Sequence, residues 1–186
     1  MGNREALLTA ARACLLERGY AKTSARDIAS AAGVSLAAIG YHFGSKENLL
    51  AQAVTEAVGD ELGTWIDATI RLIAPGTSMG ETYARFCGML PQIFAAQRSV
   101  LLASAENVIR TARSPDASNF APQAIDQSIS AMAQILQDVH NDLDSATARA
   151  LAKTYMVAIN GAFLVWLVSP DAMLTEREAS QALSVL

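Results

Sequence analysis

The sequence is short of the residues that most often carry chemistry. Its 186 residues include two histidines and two cysteines. Cys14 and Cys87 have no CxxC spacing and no neighbouring histidine, which excludes a thiolate metal site and leaves both as small core residues of a reducing compartment. His42 and His140 are far apart and lack a Cys, Ser or Asp partnership; no Gly-rich phosphate loop or HExxH is present. Neither enzymatic activity nor a cofactor is expected. Charge is sparse as well, at 17% of residues and a net −4, which argues against a nonspecific coat on nucleic acid. Only five prolines occur, and alternating Val/Ile/Thr runs with Asn-Gly turns are missing, so a β architecture is excluded. What is abundant is apolar: 52% of the chain, dominated by alanine and leucine, the composition of a large helical core. The expected fold class is all-α.

Arg4, Glu5 and Arg12 interrupt any signal-like run at the N-terminus. The most apolar stretch, "YMVAINGAFLVWLV" at 155–168, contains Asn160 and at 14 residues is too short to span a bilayer. It reads as a core or interface helix, with a cytoplasmic location and no membrane partner expected.

Apolar residues at three- and four-residue steps predict helices over about 4–18, 24–32, 36–43 and from 46 to 72 or 73. Gly59 and Gly63 weaken the last of these by about 1 kcal/mol each relative to alanine. Further helices are predicted over 81–97, 99–113, 123–142, 145–168 and after Thr175, with a loop at 114–122. Pro91 should bend the helix that contains it. Ser24, Ser35 and Ser45 are the expected N-caps, Ser24 forming a capping box with Asp27, and Gly19, Gly33 and Gly44 are the stops.

Residues 1–50 carry six Lys/Arg and four acids, whereas the remainder carries eight bases and fourteen acids. A small basic end on an acidic body suits a module that touches phosphate at one end. In that end, "SARDIASAAGVSLAAIGYHF" has two short helices reversing at Gly33, with Ala29, Ala32 and Ile39 placed to hold the pair together. This is helix-turn-helix spacing, in which the second helix lies in the major groove of DNA. Lys46 opens the next helix, where its ammonium and the helix N-terminus face the same phosphate. Arg26 sits in the first turn of the second helix, and Lys22 and Arg4 are further basic candidates; the competing reading for each is a solvated charge. Ser24 and Ser35 cap helices whose N–H groups also suit phosphate. His42 is either a phosphate donor or a packed structural histidine, and Phe43 is a core plug.

The wider string "LLERGYAKTSARDIASAAGVSLAAIGYHFGSKENLLAQAV" resembles the N-terminal domain of the TetR family of bacterial transcriptional regulators. The resemblance rests on Gly19-Tyr20, Thr23-Ser24, Asp27-Ile28-Ala29, Ala32-Gly33-Val34-Ser35, Tyr41-His42-Phe43 and Ser45-Lys46-Glu47-Asn48-Leu49-Leu50, and covers about residues 4–54. It implies a helix-turn-helix domain over 1–50 and a ligand-binding and dimerisation domain over 51–186. It also implies a homodimer on a pseudo-palindromic DNA operator, released by a small molecule that changes the spacing of the two heads. Leu36, Ala37 and Ala38 fall where the family enters the groove, and Tyr41 where it often touches the backbone. Their chemistry favours thymine methyls, close approach and DNA shape over hydrogen bonds to bases. Gly40 departs from the bulkier residue frequent in the family.

Trp65, Phe86, Met89, Leu90, Phe94 and Phe120 are candidates to line an effector pocket, which would then be apolar and suit a hydrophobic molecule oriented by Asn107, Gln123 or Asn160. Ala158, Gly161, Ala162, Val165 and Trp166 form a candidate dimer stripe. For both sets the competing reading is packing within the subunit. A regulator governed by a protein partner, without a small-molecule effector, is the alternative function.

Overall fold

The computed structural model describes residues 2–20, 22–113 and 120–185, excepting the side chains of 120 and 121. Among these residues the regular structure is entirely helical. Two compact units form, one from Met1–Glu61 with Arg98–Ala124 and one from Leu62–Gln97 with Ile125–Leu186.

In the first unit, α1 (Asn3–Arg18) and α4 (Lys46–Ala57) supply most of the core, burying Leu7, Ala11 and Leu15 against Leu49, Leu50 and Val54. The short helices α2 (Ala25–Ala32) and α3 (Ala37–Phe43) close that core with Ile28, Ala29, Ile39 and Phe43. Ala103 of α7 (Arg98–Arg113) joins the same cluster. Truncating any of the large members to alanine removes about 2–5 kcal/mol.

The predicted helix from 46 to 72 or 73 is interrupted. A π-helical turn, Val58–Leu62, separates α4 from α5 (Gly63–Ile73). Gly59 and Gly63 soften this segment, and the wider turn carries Asp60 and Glu61, both of which pair with Arg12 of α1, at 3.0 and 2.7 Å. One guanidinium thus takes two carboxylates, and their hydrogen bonds raise its pKa against the cost of burial.

The second unit is built on α5, α6 (Met79–Ala96), α8 (Phe120–Val139, from Ile125 on), α9 (Ser145–Val168) and α10 (Glu176–Leu183), with a 3-10 turn at Pro170–Ala172. α6 runs through Pro91, whose missing N–H leaves the Cys87 carbonyl without its helical donor. α8 starts three residues before the predicted position, with Pro122 in the first turn, where a missing N–H goes unnoticed. An aromatic row forms the core: Phe86 lies 5.0 Å from Tyr155, and Phe94 lies 5.7 and 5.8 Å from Phe163 and Trp166 between ring centroids. Tyr155 is fully buried and its hydroxyl has no hydrogen-bond partner among the described residues. α10 lies close on α6, because Gly88 has no side chain; a Cβ there would come within 3.2 Å of the Glu176 backbone nitrogen.

Candidate nucleic-acid interface

The local structure of residues 24–50 follows from its caps. The Ser24 hydroxyl accepts the Asp27 N–H at 3.2 Å, and the Asp27 carboxylate takes the Ser24 hydroxyl and backbone N–H in return. Those bonds hold the Asp27 carboxyl below its ordinary pKa. Gly33 adopts φ 65° and ψ 29°, a left-handed conformation costly for other residues, and the chain reverses there as the Val34 N–H bonds the Ala29 carbonyl at 3.0 Å.

The expected cap by the Ser35 hydroxyl is not what starts α3. Leu36 is already helical at φ −57°, and the Ala38 and Ile39 N–H groups bond the Ser35 and Leu36 carbonyls at 3.0 and 3.2 Å. Tight turns of this kind satisfy the first donors without a side chain. Ser45 does cap α4, accepting the Asn48 N–H at 3.0 Å, and the Asn48 amide reaches back to the Phe43 carbonyl at 3.1 Å across the Gly44 turn.

α3 presents two contrasting faces. Ile39 and Phe43 point into the core, and Ala38 packs against it half-buried. Leu36, Ala37, Gly40 and Tyr41 form the outward face, Leu36 being 49% and Tyr41 86% exposed. A Cβ added to Gly40 would meet nothing within 4 Å, so the fold itself does not require glycine there. His42 is half-buried, its ring edge-on to Tyr41 at 4.8 Å. Arg26 is exposed on the first turn of α2, and the Arg4 guanidinium lies 5.4 Å from the centre of the Phe43 ring. The Lys46 ammonium donates to the Thr23 carbonyl at 3.3 Å and lies 3.5 Å from a Glu47 carboxylate oxygen.

This arrangement offers a narrow, small-sided helix flanked by hydroxyls, basic groups and two capped helix N-termini. Residues 7–53 match the family described as bacterial regulatory proteins, tetR family. The chain carries a TetR-family DNA-binding domain. No match to a curated protein is found. Solved structures of the same fold include the multidrug binding protein EbrR in complex with imidazole, 23% identical, with 100% of this chain and 94% of that chain covered at a TM-score of 0.66. Thermus thermophilus FadR, a TetR family repressor in complex with lauroyl-CoA, is 21% identical, with coverages of 98% and 92% and a TM-score of 0.63. A transcriptional regulator from Rhodococcus sp. Rha1 is likewise 21% identical, with coverages of 98% and 92% and a TM-score of 0.57.

The TetR-type head also uses residues to which the sequence reading assigned no role in the interface. The buried Thr23 hydroxyl bonds the Gly19 carbonyl at 2.8 Å, the Tyr20 hydroxyl donates to the Glu47 carbonyl at 3.4 Å, and Arg110 of α7 lies over the Tyr20 ring at 5.4 Å. Thr23 and Tyr20 stand inside the quoted motif; the Arg110 contact spans ninety positions and leaves no local signal.

The remaining candidates separate. Phe86, Leu90 and Phe94 are at most 2% exposed. Side chains facing a water-sized void would retain accessible area, so in this conformation they are packed core. Met89 lines an open groove of about 470 Å³ with Pro91, Pro170, Met173 and Leu174. Trp65 is 47% exposed on α5, and Phe120 begins α8 with its side chain outside the described residues. On α9, Ala158 and Ala162 are half-buried and Trp166 packs on Phe94 and Phe163 of the same unit. Gly161 and Val165 are exposed, and they continue into Val157, Leu164 and Val168, which are 73%, 61% and 84% exposed. By length and composition α9 passes the threshold for crossing a bilayer, being 24 residues long rather than the 14 of its most apolar run, although Ala148, Ala152, Tyr155, Ile159 and Phe163 bury one face in the unit.

Proposed function

We propose that the protein is a homodimeric, ligand-responsive transcriptional repressor that binds a pseudo-palindromic operator in the cytoplasm. The outward face of α3 carries this reading: Leu36, Ala37, Gly40 and Tyr41 stand clear of the fold on a helix with the family's groove-entering position. Leu36, Ala37 and Ala38 meet thymine methyls and the groove wall, and Tyr41, His42, Lys46, Arg26, Ser24 and Ser35 meet phosphates. Lys46 has an ammonium already at the mouth of the motif, donating to the neutral Thr23 carbonyl and 3.5 Å from the Glu47 carboxylate, and a phosphate takes it in a charge-assisted contact.

The apolar face of α9 is the dimer surface. A stripe with Val157, Gly161, Leu164, Val165 and Val168 outward fits a second copy of itself under two-fold symmetry. The effector is a hydrophobic small molecule, in keeping with the lauroyl-CoA bound by FadR and with the multidrug binding of EbrR. It enters where Met89 and Pro91 line the groove, and Phe86 and Phe94 repack behind it.

A duplex recovered from random DNA by the wild-type protein tests the reading. The recovered sequence should contain two inverted half-sites, and affinity should fall steeply with salt. Recovery without an inverted repeat, or salt-independent binding, contradicts it. The filled core around Phe86, Leu90 and Phe94 also favours the second reading, control by a protein partner. A hydrophobic dye separates the two: fluorescence that rises with the wild type and fails to rise with Met89→Arg supports an effector groove, and no rise with either supports a protein partner.

A further inference from the structure

Arg110 is a half-buried cation of the first unit. It sits in the last turn of α7, where a positive charge complements the helix dipole, and one terminal nitrogen donates to the Asn107 side-chain oxygen at 2.9 Å. Its Nε is buried with no hydrogen-bond partner among the described residues. A desolvated, unpaired donor of this kind is destabilising unless another interaction offsets it. The offset visible here is the face of Tyr20, whose ring centre lies 5.4 Å from the guanidinium carbon. That ring in turn extends its hydroxyl to the Glu47 carbonyl in the first turn of α4. Lys46, one residue earlier, rests on the Thr23 carbonyl, three residues beyond Tyr20. Tyr20 and Thr23 are therefore a bed for the start of α4, and Arg110 packs on the Tyr20 part of it.

We propose that Arg110 is a positioning residue for DNA binding, holding Tyr20, and through it the first turn of α4 with Lys46, in the phosphate-facing pose. This rests on the phosphate role of Lys46 proposed above. Arg110 itself touches no DNA, so its loss disorders a contact without removing a charge from the interface.

The test uses the full-length protein and a fluorescein-labelled duplex recovered from a random pool by the wild type, titrated over a range of salt. Arg110→Met should weaken binding about threefold to tenfold, the range of one cation–π contact, with the salt slope unchanged. Lys46→Ala should lower the slope by about one, the signature of a lost phosphate contact. The double variant should bind little more weakly than Lys46→Ala alone, because both act on one contact. Arg110→Lys, which keeps a cation over the ring, should recover most of the loss. Wild-type affinity in Arg110→Met, a slope lowered by about one, or losses additive with Lys46→Ala would each overturn the proposal. Should Arg110→Met fail to fold, Tyr20→Phe decides: it keeps the ring and drops only the bond to Glu47, and wild-type binding by it overturns the strut. An unchanged slope in Lys46→Ala removes instead the phosphate role of Lys46, a separate failure read from a separate variant.

Discussion

Among the helices that leave apolar residues in solvent, α3 and α9 do so in different ways. α3 is seven residues long, and its exposed face is small, mixing Leu36, Ala37 and Gly40 with the hydroxyl-bearing Tyr41. Around it lie a capping box, a serine cap and basic side chains. α9 is 24 residues long, and its exposed face carries Val157, Leu164 and Val168 with few polar groups between them. A small apolar tip ringed by donors suits a polar polyanion with methyl groups in its groove. A long apolar stripe suits another apolar stripe. The contrast teaches that exposed hydrophobicity must be read with its surroundings: the neighbours separate the face proposed to read DNA from the face proposed to pair subunits.

The largest expected effect comes from charging the long stripe. Leu164→Glu should convert the proposed dimer to monomer in sedimentation velocity and weaken operator binding by about a hundredfold or more, since each head then binds alone. Unchanged mass would remove α9 from the interface and break the contrast. On the short face, Gly40→Ala should act with opposite signs on two measurements. It stabilises the helix by about 1 kcal/mol in a denaturant melt. It weakens operator binding about tenfold, about the discrimination of one good base contact, because a methyl group intrudes where the backbone approaches the groove. Equal or tighter binding would mean that this turn of α3 does not touch DNA.

Smaller effects separate folding from function. Tyr155→Phe removes a buried hydroxyl that has no partner among the described residues and should raise stability by about 1 kcal/mol with binding unchanged. Ser24→Ala should lower stability by about 1 kcal/mol through loss of the cap. The same variant should flatten the acid limb of the stability curve. Asp27 has a folded pKa below its ordinary value of about 3.8 because Ser24 bonds its charged form. Its contribution is therefore fully present above that value and is lost as the pH falls through the folded pKa. Without the Ser24 hydroxyl the carboxyl moves back toward the ordinary value, which a pair of acid titrations followed by circular dichroism would detect.

Helices and stops of the head were legible because they are local. Ser24 with Asp27, Ser45, Gly19, Gly33 and Gly44 act within a few residues of where they stand, so spacing reveals them. Ser35 was misleading for the same reason: a serine before a helix usually caps it, but here Leu36 had already turned helical and backbone carbonyls took the donors. The π-helical turn escaped a local reading; the two carboxylates it carries pair with Arg12, nearly fifty residues away. The body was harder still. A helical period identifies which residues face inward but not whether they meet a cavity or each other, and Phe86 and Phe94 turned out to meet core. On α9 the period left Trp166 and Val165 on one predicted stripe, and ring packing draws the first inward and leaves the second out.

The claim that the two exposed faces work together, one pairing subunits and the other reading DNA, is tested most directly by a hydroxyl-radical footprint of the wild-type protein on its selected duplex. Two protected patches related by a dyad should appear, centred about one helical turn, ~34–36 Å, or somewhat more apart on one face of the helix. A single protected patch with no dyad would contradict it.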